Sequence, residues 1–145
     1  MAPVTAVETT LTPEDRDFLR RPLHGFLTVA AGPRPPQPRP VWFELTTEDT
    51  IELFTAAGAA KVRHLRADPR ASLVVAAPVG ERERWVSVTG PVTVESDGAA
   101  DLARRLAARY WDLDDPARAA DLEAMLADEY LRVVLRPQRV SRVAV

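Results

Sequence analysis

Residues 84–95 alternate apolar and polar side chains, with Trp85, Val86, Val88, Val92 and Val94 set among Ser87, Thr89 and Thr93. A period of two is that of a strand with one face turned toward a core, so this run commits the chain to a sheet. Gly90-Pro91 at its centre implies a bulge or bend rather than a break.

Other segments repeat the signal on a shorter scale. Residues 25–31, 40–46, 50–55, 71–77, 130–135 and 139–144 read as strands rich in β-branched and aromatic side chains. The turn Thr47-Glu48-Asp49 joins the second and third of these. Thr12-Pro13-Glu14-Asp15 is a helix start, with a Thr cap, Pro in the first turn and an acid three residues after the cap; Pro22 closes that helix near Arg20. Residues 98–111 and 116–127 read as helices, the first placing Leu102, Leu106 and Tyr110 inward and its arginines outward. Short, closely connected strands with helices segregated between them predict a mainly β (α+β) fold, an antiparallel barrel or sheet with flanking helices. Residues 33–40 contain five prolines and read as a stiff connection between two strands, with a polyproline recognition motif as the alternative.

At 145 residues and 46% hydrophobic, the chain suffices for one domain with a core, expected over residues 1–145 with 1–11 as a flexible N-terminal arm. A net charge of −2 argues against nucleic acid as the main partner despite the arginines. The absence of cysteine excludes disulfides, thiolate metal sites and cysteine nucleophiles. Residues 1–12 lack the features of a signal peptide and no segment has transmembrane length, so a cytoplasmic protein without a membrane role is expected. His24 and His64 lie far apart without ligand spacing, so no metal site is expected. Neither Ser72 nor Ser87 has a histidine partner in view, and there is no phosphate-binding glycine loop.

Of 19 cationic side chains, Lys61 alone is lysine. It opens a short helix between two strands, with Val62 and Leu65 on the inner face and Asp68-Pro69 at the end. The first turn carries Lys61 and Arg63 and no acid, although the helix dipole favours anions there. No Ser, Asp or Asn caps it, and Thr55, closing the preceding strand, is the nearest hydroxyl. Cations, unpaired N–H donors and a hydroxyl together point to a bound anion, most simply a phosphate. A solvated helix start with water as partner is the alternative.

The order of these elements, with Thr55 ending a strand, then Lys61-Val62-Arg63-His64-Leu65 and Asp68-Pro69-Arg70-Ala71-Ser72, resembles the split β-barrel, FMN-binding-like flavin and deazaflavin oxidoreductases related to pyridoxamine 5′-phosphate oxidase. The Lys-x-Arg-x-Leu-x-x-Asp-Pro-Arg-x-Ser run is most similar to the branch that uses the deazaflavin coenzyme F420. The resemblance spans residues 11–145. It implies a homodimer with the cofactor in a cleft at the subunit interface. It also implies that Lys61 and Arg63 hold the cofactor phosphate, with the Thr55 hydroxyl nearby, and that Val41, Trp42 and Phe43 run beside the tricyclic ring. Trp85 is placed to line the same cleft; as an aromatic on a half-buried strand it has an equally good structural reading, and so has Trp42. The chain departs from the pattern at His64, where many relatives have Asn. It departs again at the proline-rich run, which replaces an Asp-Gly turn. The terminal Arg and His motif that grips substrate in pyridoxamine phosphate oxidases is missing, so vitamin B6 activity is not expected.

The implied function is hydride transfer from reduced coenzyme F420 to an electron-poor small molecule, with no catalytic side chain assigned. FMN is the alternative cofactor, since a bare phosphate suits the same cations. The longer acidic tail of the deazaflavin calls for further cations, for which Arg66, Arg70, Arg82 and Arg84 are candidates. A carrier or regulatory protein that binds such a cofactor without turnover is the non-enzymatic reading.

Overall fold

The computed structural model describes residues 4–145, with side chains from Glu8 onward. The alternating run forms a single long strand, which we number β7 (Arg84–Glu95) in chain order. Val86, Val88 and Val92 point into the core from it. β6 (Arg70–Ala76) pairs along one edge over residues 85–91. β9 (Arg139–Ala144) takes the opposite edge over residues 84–89, and β8 (Tyr130–Leu135) pairs with residues 92–95.

The change from β9 to β8 falls at Gly90-Pro91. Here the Arg136 N–H donates to the Pro91 carbonyl and the Gln138 N–H to the Thr89 carbonyl, at 3.0 and 2.9 Å. A Cβ on Gly90 would stand 1.9 Å from the Arg136 carbonyl oxygen, so only glycine admits this crossing. The bend expected at this dipeptide is where the sheet turns from one half into the other.

Beyond β6 lie β2 (Gly25–Val29) and β3 (Arg39–Val41); beyond β8 lie β5 (Ile51–Ala56) and β4 (Glu44–Leu45). All pairings are antiparallel. The curled sheet with flanking helices is a split β-barrel of the α+β class. Its core joins Leu27, Leu73 and Val75 of one half to Ile51, Leu53 and Val133 of the other.

Two segments differ from the sequence reading. The strand expected over 40–46 is divided, with β3 pairing to β2 and β4 to β5, while Trp42 and Phe43 cross between the halves. The Phe43 N–H donates to the Tyr110 hydroxyl (3.2 Å), which donates in turn to the Leu23 carbonyl (2.7 Å). A side-chain partner thus replaces the strand ladder at the crossing. Within the expected arm, Val4–Glu8 forms β1 and pairs with β9.

Helix α1 (Pro13–Leu19) has the Thr12–Asp15 capping box foreseen in the sequence. Asp15 is fully buried and takes a two-pronged bond from Arg142 of β9, closest at 2.6 Å. Burial opposes its ionisation, yet Arg142 and the Thr12 bonds hold the carboxyl below the usual carboxylate range. α2 (Ala60–Ala67) links β5 to β6, and α3 (Ala99–Tyr110) packs on β5 and β8 through Leu102, Ala103 and Leu106. α4 (Pro116–Leu126) starts at an Asp115 cap and has no buried residue. Among the described residues no helix is long and apolar enough to cross a membrane.

Candidate cofactor site

α2 begins at Ala59 without a side-chain cap and without an acid in its first turn. Pro69 ends it by holding Asp68 in extended geometry, and Val62 and Leu65 bury its inner face. Lys61 is thereby fixed, half-buried, at the start of the helix. Burial pushes its ammonium below the ordinary lysine value and the charge of Arg39 pushes it further; no acid offsets either effect.

Two clefts meet at this side chain. The first, about 290 Å³, has an apolar floor from Leu27 and Val29 of β2 and a wall from the proline-rich loop at Pro33 and Pro36. Lys61, Arg39 and His64 are the basic groups of its lining. Arg39 is held to Gln37 by a 2.6 Å hydrogen bond. The loop is seated on α2 at Gly32, whose φ of 128° favours glycine and where an added Cβ would stand 3.1 Å from His64 Nδ1. The second cleft, about 410 Å³, runs past Val41 and Trp42 to Phe54 and Tyr130, with His24 and Met125 at its sides. Its aromatic wall is continuous: Trp42 stacks on Tyr110 (5.2 Å, 5°) and meets Phe54 edge-on at 6.3 Å, and Phe54 meets Tyr130 at 5.1 Å.

Neither lining contains an Asp or Glu, in a chain with 21 of them. The pair of clefts offers a flat apolar surface beside an acid-free basic corner, which suits a planar ring joined to an anion.

The structure brings Val41, Trp42 and Lys61 together in the aromatic cleft. Phe43 is fully buried in the core, and Thr55 is 7% exposed on β5 opposite Leu131. Both belong to the body behind the cleft and line neither opening. Arg63 is exposed on α2 and lines neither cleft. Trp85 sits half-buried on the outward face of β7, between Ala76 and Val143, and also lines neither. Sequence reasoning passed over Phe54, Tyr130, His24 and Met125. Phe54 had a signal, since alternation turns it outward between buried Leu53 and Thr55. Arg39, at the end of the proline-rich run, is exposed and shares the corner with Lys61.

The sequence family described as Pyridoxamine 5'-phosphate oxidase matches residues 11–142. No curated protein sequence matches the chain. Among solved structures, the chain is similar to an F420 reductase, with a TM-score of 0.67 and 24% identity over 86% of this chain and 94% of that one. A conserved hypothetical protein from Mycobacterium tuberculosis superposes with a TM-score of 0.68 at 20% identity, over 91% of this chain and 84% of that one. An FAD-binding protein from Mesorhizobium loti gives 0.62 at 18% identity, over 99% of both chains. At these identities the likeness is one of fold.

Proposed function

The chain belongs to the pyridoxamine 5′-phosphate oxidase family, and from that premise we propose that it is an oxidoreductase that binds the deazaflavin coenzyme F420 and reduces an electron-poor small molecule. The observation that carries the reading is Lys61, a half-buried cation without an acid partner, standing where a basic corner joins an aromatic cleft. A phosphate there would satisfy the charge and the uncapped N–H groups of α2 together.

Lys61 and Arg39 would hold the phosphate, with Arg63 adding charge from the solvent side. The Val41–Trp42 segment would lie along the ring, with Phe43 and Thr55 fixing its position from behind. When bound, the reduced cofactor supplies a hydride. The protein's own part is to position the ring against the aromatic wall, exclude water with Phe54 and Tyr130, and neutralise the phosphate. No side chain is assigned a proton-transfer role. The active unit is a homodimer with the cofactor near the subunit boundary. Trp85, on the outward sheet face, is assigned to that contact rather than to the cleft of its own chain.

An F420 reductase stands among the structures of this fold, beside FAD-binding proteins. FMN is the second reading, because Lys61 and Arg39 serve a bare phosphate equally well. Titration of the cofactor-free protein with each, followed by fluorescence quenching, separates them. Selective binding of coenzyme F420 at micromolar concentration or below is expected. Lys61→Ala should weaken it at least about tenfold while the circular dichroism spectrum stays unchanged. An unchanged dissociation constant would remove Lys61 from the site. Tight binding without reduction of any quinone or enone acceptor would make the protein a carrier.

A further inference from the structure

The aromatic cleft has walls of unequal stiffness. Trp42 stacks on Tyr110 and meets Trp111 edge-on at 4.7 Å, and the Tyr110 hydroxyl is anchored to the backbone at Leu23 and Phe43. Val41 is fixed by pairing with Gly25, and Phe54 and Tyr130 stand on the paired strands β5 and β8. Met125 comes from α4, and among the described helices α4 alone buries no residue. Ala119, Leu122, Met125 and Leu126 share one face by their spacing and are half-buried, while every other residue of the helix is exposed. Its ends are held lightly. Asp115 caps the first turn, the Arg118 guanidinium lies 4.7 Å from the centre of the Trp111 ring, and the Ala57 N–H donates to the Glu129 carbonyl at 3.0 Å. A helix of 11 residues without a buried side chain draws little stability from packing, so it can shift at low cost.

The cleft of about 410 Å³ must admit two planar groups, the cofactor ring and the acceptor. That volume is near the lower end for a pocket that holds one small molecule, for which about 300 to 1,000 Å³ is usual. The strand-borne walls cannot recede, and α4 can. Methionine, unbranched and polarisable, follows an irregular or changing surface better than any rigid side chain. Phe54, Tyr130 and Met125 carry no charge, so an ionic acceptor would lose its hydration against them without a partner. A neutral planar molecule would lose nothing there.

We infer that Met125 determines the size of the acceptor, and that the acceptor is an uncharged planar molecule of the quinone class packed against its thioether, with α4 as the wall that yields. This rests on the placement of the cofactor ring beside Val41 and Trp42. The quinone is reduced to the hydroquinone by a hydride from the reduced cofactor and one proton from solvent. Met125 takes no part in that step and acts by selecting what reaches it.

The test uses the full chain. Amide hydrogen exchange of the cofactor-free protein should show α4 opening at least about tenfold faster than α3, whose Leu102, Ala103 and Leu106 are buried. Exchange in α4 as slow as in α3 overturns the yielding wall. Reduction by reduced coenzyme F420 is then compared for 1,4-benzoquinone and the two-ring menadione. Met125→Ala should raise the kcat/KM ratio of menadione to benzoquinone by about tenfold, and Met125→Trp should lower it by about as much, the scale on which an apolar pocket discriminates by size. Cofactor affinity and thermal melting of Met125→Ala should match wild type, because α4 buries nothing. An unchanged ratio in both variants overturns the inference, and so does lost cofactor affinity in Met125→Ala, which would set Met125 against the ring. Wild-type protein that binds the cofactor and reduces neither quinone also overturns it and leaves the cofactor site standing. Wild-type protein that binds no cofactor removes the parent reading, and that result is visible before any variant is made.

Discussion

Lys61 is an ammonium held in a half-buried position where burial and Arg39 both disfavour its charge. Its folded-state pKa lies below the unfolded value, so the unfolded chain binds more protons there and stability rises with pH through the folded value. A bound phosphate acts in the opposite sense and restores the charged form. Once pH exceeds the depressed value, binding must take up a proton, and affinity should fall with rising pH by up to about tenfold per unit. Dissociation constants measured from about pH 8 to about pH 10.5 should show this decline in wild-type protein. Lys61→Arg should bind with a flatter profile, because guanidinium keeps its charge throughout. A wild-type profile as flat as that of the variant would mean that Lys61 does not face the anion.

At the scale of elements, the bend in β7 is the feature on which the two halves of the barrel depend. Gly90→Ala would place a methyl group 1.9 Å from the Arg136 carbonyl oxygen, a backbone atom that can move only by distorting the β8–β9 connection. A loss of about 3 kcal/mol or more is expected, among the larger effects of single substitutions. Chemical denaturation of the variant measures it, and wild-type stability would show that the connection yields. This element was legible because alternation and Gly-Pro are local signals, as was the α1 capping box. The division of the 40–46 strand was not, because it depends on Tyr110, a residue 67 positions from Phe43. The site divided in the same way. Lys61 was legible from its uniqueness and its uncapped helix. Alternation along β5 turned Phe54 outward, but the place of Arg39 and the meeting of Phe54 with Tyr130 in one wall arise from loop folding and strand order, which no local pattern encodes.

For the whole molecule, the proposed dimer would form on the outward face of the sheet. Phe26, Val74, Ser87 and Ser141 lie in register across β2, β6, β7 and β9, beside a second row of Ala76, Trp85 and Val143. These seven side chains carry no charge, in a chain that is 28% charged, and Phe26 and Val74 are 42% and 36% exposed. A face without charges meets no like-charge repulsion when it packs on its own copy about a two-fold axis, and the flat cross-strand rows favour that contact. Toward Arg34, Arg70 and Arg139 the same face turns cationic. Phe26→Asp/Val74→Asp would set four carboxylates against one another across a two-fold contact while leaving the inward side of both strands intact. Light scattering should show a dimer for wild type and a monomer for the double variant, with the same circular dichroism spectrum. If the cleft is completed at the subunit boundary, the monomer should also bind cofactor at least about tenfold more weakly, the difference that one lost buried contact makes. A monomeric variant with unchanged affinity would confine the site to a single chain. A wild type that is itself monomeric at high concentration would assign the uncharged face to a different partner.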